Sequence, residues 1–247
     1  MTGEYIRFVE IFNPDDYLMY GISIVGLGGI GSPTAMLLAK MGFKYFELWD
    51  DDKVEPHNVS TQMYFRRNMG SDKVIITDDI LKQCNIKISD NTVKKHIQKF
   101  TEKDMFEVPI VISAVDNMKS RKIIFENALK SNVRLLIDGR MGGEMFTIYT
   151  VNLLNEKEIK KYTESFHEDV QLPCTARAIN YNTFGISSFI VRQLIKVLNN
   201  EKYPREINFD YKNLVLDLSE NVKIKIDKEK KVDEIKQEIK EETNDKQ

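Results

Sequence analysis

The sequence predicts an α/β protein: a doubly wound, mainly parallel sheet flanked by helices, with a C-terminal extension of the sheet. Two observations carry that reading. Short β-rich runs alternate with stretches whose apolar residues recur at helical spacing. The stretch "IVGLGGIGS" (24–32) sets Gly26-x-Gly28-x-x-Gly31 after a strand and before a helix, as in a Rossmann-like nucleotide domain.

Taken in order, "GISIVG" (21–26) is the first strand. "SPTAMLLAKMG" (32–42) is a helix with Ser32 as N-cap, Pro33 in the first turn and Gly42 as the stop. "FKYFELWD" (43–50) is a second strand ending in acid, and 71–85 is a helix. The alternating stretch 92–100 reads as a third strand. "VPIVISAV" (108–115) is an apolar run typical of a buried parallel strand. A helix over 118–131 leads to a buried strand at 133–139, and 144–152 extends the sheet. Residues 153–173 are charged and short of apolar side chains, as in a crossover loop or lid. A long, largely buried helix follows over 174–200, then one or two closing strands within 205–218. From Asp227 the chain is nearly all Lys, Glu, Asp and Gln. It reads as a solvated tail in which Val232, Ile235 and Ile239 mark at most a short amphipathic helix.

Composition narrows the function classes. The 247 residues are 42% apolar and 30% charged with a net charge of −2, ordinary for a soluble globular protein. That balance excludes a protein that holds nucleic acid by bulk positive charge. Only two cysteines are present, Cys84 and Cys174, far apart and without metal-like spacing. They point to a reducing, cytoplasmic setting, and away from disulfides or structural zinc. "MTGEYIRFVEIF" lacks the pattern of a signal peptide, and no apolar run reaches the length of a membrane span.

The glycine loop by itself leaves three readings open: a dinucleotide site, an ATP site, or tight packing against a neighbouring helix. A helix N-terminus offers free N–H groups and partial positive charge to phosphate. Asp50, Asp51 and Asp52 lie about 20 residues on, where a carboxylate takes a ribose hydroxyl. Both NAD and ATP enzymes fit this much. The separation comes from "WDDDKVEPHNVSTQMYFRRNMGSDKV" (49–74), a long polar connection ending in Lys73 near the start of a helix. "SAVDNMKSR" then ends a strand with Asp116. A phosphate loop, a lysine and a solitary carboxylate at one sheet edge point to ATP with Mg²⁺ rather than a nicotinamide.

At "GLGGIGS", "DDDKVEPHN..Q", "GSDKV", "AVDN...R" and Cys174 before a long helix, the sequence resembles the ThiF/MoeB/HesA family, bacterial and phage relatives of ubiquitin-activating enzymes. The resemblance spans roughly residues 20–200. It implies an adenylyltransferase that activates the C-terminal carboxylate of a ubiquitin-like or sulfur-carrier protein ending in Gly-Gly, as a homodimer, releasing pyrophosphate. It implies that Gly26, Gly28, Gly29 and Gly31 line the ATP phosphates, and that Asp50 binds ribose with Asp52 nearby. Asn58 and Lys73 would position the triphosphate, and Asp116 would hold Mg²⁺. It divides the chain into an N-terminal segment (1–19) that is a candidate dimer arm, an adenylation domain (20–220) and a charged tail (221–247).

The chain departs from the family pattern in three places. Thr61 stands where members carry an arginine before the glutamine, leaving Arg66, Arg67 or a partner subunit to compensate. Arg7 is the only arginine before the glycine loop available to reach across a dimer, as many members do. The zinc-binding CxxC pairs are absent.

Other candidates carry a functional and a structural reading each. Cys174 precedes a helix, where a thiol is activated and could accept the acyl group as a thioester; otherwise it packs at the helix start. His57 could touch nucleotide. His96 reads as a surface residue, His167 has no evident partner, and Cys84 reads as structural. Arg140 contacts substrate or forms an ion pair; Arg121 orients Asp116 or is solvated. Two alternatives to the adenylyltransferase remain: a nicotinamide-dependent oxidoreductase, and a non-catalytic nucleotide-binding partner of an activating enzyme, which Thr61 keeps open.

Overall fold

A computed structural model describes residues 3–17, 19–166 and 178–222. Cys174, His167, the tail from Asp227 and the first part of the long helix expected from 174 lie outside them. The strands and helices run in chain order as β1 (Gly21–Val25), α1 (Gly31–Lys40), β2 (Tyr45–Trp49), α2 (Lys73–Cys84), β3 (Val93–His96), β4 (Ile110–Ser113), α3 (Met118–Lys130), β5 (Leu135–Gly142), β6 (Met145–Asn152), α4 (Glu156–Thr163), α5 (Asn180–Leu198), β7 (Tyr203–Pro204), β8 (Glu206–Asp210), β9 (Val215–Leu218) and β10 (Asn221–Val222).

Eight strands form one sheet in the order β3-β2-β1-β4-β5-β6-β8-β9. The first five are parallel. β6, β8 and β9 extend the sheet antiparallel. The order reverses at β1, with β2 on one side and β4 on the other. That switch point opens a crevice beyond the strands' carboxyl ends, where α/β folds bind ligands. Alternate strand residues feed two cores. Ile22, Ile24, Leu48, Ile112 and Ile137 pack with α1 and α5 on one face. Val25, Trp49, Val111 and Leu136 pack with Ile124, Phe125 and Tyr162 on the other. These strands are apolar on both sides because helices cover both faces.

Several expectations change at element scale. Ser32 is not the N-cap: α1 begins at Gly31, and the Ser32 hydroxyl donates back to Gly28 O at 2.8 Å. β3 stops at His96, because Phe100 turns inward to stack on Phe106 at 4.5 Å. The stretch expected as loop or lid contains α4. Asn155 caps it, its side chain accepting from the amides of Lys157 and Glu158, and Tyr162 is buried. Glu158, Ile159 and Tyr162 share one face while the lysines take the other, so few apolar residues suffice. The long helix begins at Asn180, after Ala178 bridges Gly143.

The described part of the N-terminal segment lies on its own chain. Phe12 stacks on Tyr17 at 5.0 Å and on Phe43 at 5.7 Å. Tyr17 Oη donates to Leu198 O at 3.0 Å. Among the described residues no helix is long and apolar enough to cross a membrane.

Candidate functional site

A crevice of about 1090 Å³ runs along the carboxyl ends of β2, β1, β4 and β5. It gathers Gly26, Gly28, Gly29, Asp50, Asp52, Asn58, Lys73 and Asp116, all of which sequence reasoning had assigned to one site. Gly31 sits just behind, and Arg7 is not among the lining residues. It is exposed in the docked N-terminal segment.

The glycines do different jobs. At Gly31 any Cβ would fall 1.8 Å from Gly26 O, so α1 could not approach the loop. Gly26 has φ +89° and is overhung by Ala114 O, which bars a side chain twice. At Gly28, by contrast, a Cβ would meet only Gln62 at 3.9 Å, so that side of the loop is open to the crevice. Gly28, Gly29 and Ile30 have amide N–H groups with no hydrogen-bond acceptor among the described residues. Unpaired donors at a helix start are the chemistry that suits an anion.

The carbonyls of the same loop are turned away and held. Leu27 O accepts from Tyr64 Oη at 2.7 Å, and Gly28 O accepts from Ser32 Oγ. Ser32 Oγ also accepts from Met63 N at 3.1 Å, so the connection between β2 and α2 is fastened to the loop. Leu27 N donates to Asp50 Oδ2 at 2.6 Å, and Asp52 N donates to Asp50 Oδ1 at 2.9 Å.

Asp50 and Asp52 therefore differ. Asp50 is buried and both its oxygens hold backbone amides. Burial raises its carboxyl above the ordinary value, against the pull of Lys73 and of the Leu27 and Asp52 amides. Asp52 is 65% exposed at its side chain and faces outward. Lys73, the first residue of α2, is buried between them, its Nζ 2.6 Å from Asp52 Oδ2 and 3.9 Å from Asp50 Oδ1. Asn58 closes the 3-10 turn Pro56–Asn58, accepting from Glu55 N at 2.9 Å. Asp116 follows β4 and is exposed, with one oxygen taking the Asn117 amide at 3.1 Å. The oxygens of Asp50, Asp51 and Asp52 fall within 4.8 Å of one another.

At the β5 end, Asp138 is fully buried between two arginines. Arg121 Nη1 and Arg140 Nε both bond it, the latter at 2.7 Å. Burial alone would raise its carboxyl, but the charges of Arg121 and Arg140 and the Arg140 hydrogen bond together hold it below the usual range. Arg121 also donates to Val115 O and Gly139 O. It is a buried brace, neither solvated nor aimed at Asp116. Arg140 is the ion-pair partner of Asp138. It donates to Ser165 O at 2.8 Å and lies over the Tyr149 ring at 4.4 Å. Arg66 and Arg67 do not line the crevice, and Arg67 lies over Phe65 at 5.2 Å. His96 is not a plain surface residue. It stacks on Trp49 at 3.5 Å, where burial lowers its pKa, and Trp49 and Phe100 wall the crevice beside β2. His57 lies at the rim, paired with Glu55 at 3.3 Å.

Sequence reasoning missed Tyr64, Asp138 and the Trp49–His96 stack. For Tyr64 the only signal was the aromatic pair Tyr64–Phe65 inside a largely polar connection. Asp138 was visible as an acid near the end of the strand expected over 133–139, though β5 carries on past it to Gly142.

The ThiF family model matches residues 15–234. Ubiquitin-like modifier-activating enzyme 5 of Gallus gallus is 28% identical over 152 residues, covering 49% of this chain and 38% of that protein. Sulfur carrier protein ThiS adenylyltransferase of Escherichia coli is 28% identical over 123 residues, covering 49% of each chain. The chain thus spans half or less of the length of these relatives. Among solved structures, E. coli MccB with ATP superposes with a TM-score of 0.68 at 16% identity, over 90% of this chain and 72% of MccB. That likeness concerns the fold alone.

Proposed function

The chain belongs to the ThiF family, and on that premise we propose that it is an ATP-dependent adenylyltransferase. Its substrate would be the C-terminal carboxylate of a ubiquitin-like or sulfur-carrier protein ending in Gly-Gly. The carrying observation is the loop with three N–H donors that have no acceptor among the described residues, lining a crevice that also holds Lys73 and Asp116. In this reading a carboxylate oxygen of the carrier bonds to the α-phosphorus of ATP. The bond from that phosphorus to the bridging oxygen breaks, and pyrophosphate leaves with the electron pair. Such a reaction needs little from the protein beyond alignment and charge stabilisation. The Gly28, Gly29 and Ile30 amides bind phosphate oxygens. Lys73 supplies positive charge beside them, and Asn58 shapes the wall. Asp52, whose Oδ2 pairs with Lys73, offers its other oxygen to ribose, since both oxygens of Asp50 are occupied in holding backbone amides.

The donor set suits a hard divalent cation, because Asp116 is an exposed oxygen ligand at the phosphate end. Mg²⁺ there would neutralise charge developing on the departing pyrophosphate. We propose a homodimer, with Arg7 supplied by the second copy, because Thr61 leaves the crevice short of an arginine and Arg121 and Arg140 are committed to Asp138. Cys174 would receive the acyl group in members that go on to a thioester. The low cysteine count fits a cytosolic enzyme.

Exchange of labelled pyrophosphate into ATP, run with carriers ending in Gly-Gly, tests the reading. Exchange should depend on carrier, and Asp116→Asn should lower it by about 100-fold. No exchange with any such carrier would defeat it. The missing arginine also favours a second reading, a non-catalytic nucleotide-binding partner. Tight ATP binding without exchange is its signature.

A further inference from the structure

We propose that Tyr64 is a positioning residue that fixes the direction of the Leu27–Gly28 peptide and so keeps the Gly28 N–H turned toward a bound polyphosphate. This rests on the nucleotide reading above and adds a residue to it.

The Leu27–Gly28 peptide turns over by changing ψ of Leu27 and φ of Gly28, and Gly28 tolerates φ of either sign, so the flip costs little. In a trans peptide the C=O and the following N–H point in opposite directions. If the Leu27–Gly28 unit turned over, a carbonyl oxygen would face the phosphates and repel them. The structure opposes this through Leu27 O, the acceptor for the Tyr64 hydroxyl at 2.7 Å. Tyr64 is 2% exposed, so water does not compete for that bond. Its oxygen also lies 3.1 Å from Thr77 Oγ1 on α2, the helix that begins with Lys73. Since the phenol donates to Leu27, Thr77 donates to the phenol. Burial raises the phenol far above its ordinary range, so it stays a donor at any working pH. The other end of Leu27 is held by Asp50, and its side chain is fully buried. Leu27 is thus anchored three ways, and among the described residues the Tyr64 hydroxyl makes the one hydrogen bond to the peptide leading into Gly28. One hydroxyl joins the glycine loop, the connection after β2 and the helix bearing Lys73.

Tyr64→Phe deletes the hydroxyl and keeps the ring. Tyr17→Phe is the control, removing another hydroxyl bonded to a backbone carbonyl, at Leu198, where neither residue lines the crevice. Two readouts apply to the full chain. Amide hydrogen exchange without nucleotide should speed up several-fold at Gly26 and Leu27, whose N–H groups are hydrogen-bonded to Trp49 O and Asp50, in Tyr64→Phe and stay unchanged in Tyr17→Phe. The calorimetric Kd for ATP should rise about tenfold in Tyr64→Phe only. Wild-type exchange and affinity in Tyr64→Phe, or equal effects in both variants, would overturn the proposal. If wild type binds no ATP, the nucleotide reading falls by itself. Faster loop exchange in Tyr64→Phe would then still uphold the clamp on Leu27, and unchanged exchange would overturn it.

Discussion

Glu47 sits in the middle of β2, 3% exposed, and its Oε2 has no hydrogen-bond partner among the described residues. Burial and the charge of Glu107 raise its carboxyl to about 7, despite a Glu107 amide, Lys94 and Ser23. The folded value lies above the unfolded one, so the folded state binds the extra proton. The stability this supplies is present below the unfolded value near 4.5 and is lost as pH rises through about 7. A shift of that size corresponds to on the order of 3 kcal/mol. Glu47→Gln should therefore be more stable than wild type at about pH 8 and nearly equal to it at about pH 5, as chemical denaturation at the two pH values would read. A gap that does not change with pH would contradict the assignment. Asp138 works in the opposite sense. Its lowered value gives stability that is present above the ordinary carboxylate range and lost as pH falls through that lowered value, so the two windows do not overlap. At this scale the sequence was readable where a charge closes a strand, as at Asp50 and Asp116, or opens a helix, as at Lys73. It was unreadable where the partner is a distant segment. Nothing near His96 in the chain announces Trp49, and nothing near Arg140 announces Ser165.

The elements divide along similar lines. Strands β1, β2, β4 and β5 were legible because burial on both faces makes them continuous apolar runs. α4 was not, because a helix of eight residues needs only a few inward side chains and an N-cap. The cap makes a test. Asn155→Ala should cost about 1 kcal/mol, read as a lower unfolding midpoint. The Arg140 bonds to Ser165, just beyond α4, should loosen with it. An unchanged midpoint would mean that Tyr162 and its aromatic neighbours hold α4 without the cap. The late start of α5 has a similar cause. Gly143 pairs with Ala178 as a bridge, and the Asn182 side chain bonds Gly143 O and Met145 O, so tertiary contacts decide where the helix begins.

Across the whole molecule, charge divides at the switch point. Asp50, Asp51 and Asp52 crowd the β2 side of the crevice, while Arg121 and Arg140 brace the β5 side around Asp138. The glycine loop lies between them. The parallel half of the fold follows from strand–helix alternation and the right-handed crossovers it requires. The docking of residues 3–17 does not. It depends on Phe12, Tyr17 and Phe43 meeting across the end of α1, with no periodicity to announce it. The central claim is that this crevice cradles a triphosphate. Calorimetric titration of the full chain with ATP and, separately, with NAD, each with and without Mg²⁺, tests it most directly. The account predicts a single ATP site strengthened by Mg²⁺ and no NAD binding. Binding of NAD with none of ATP would contradict it.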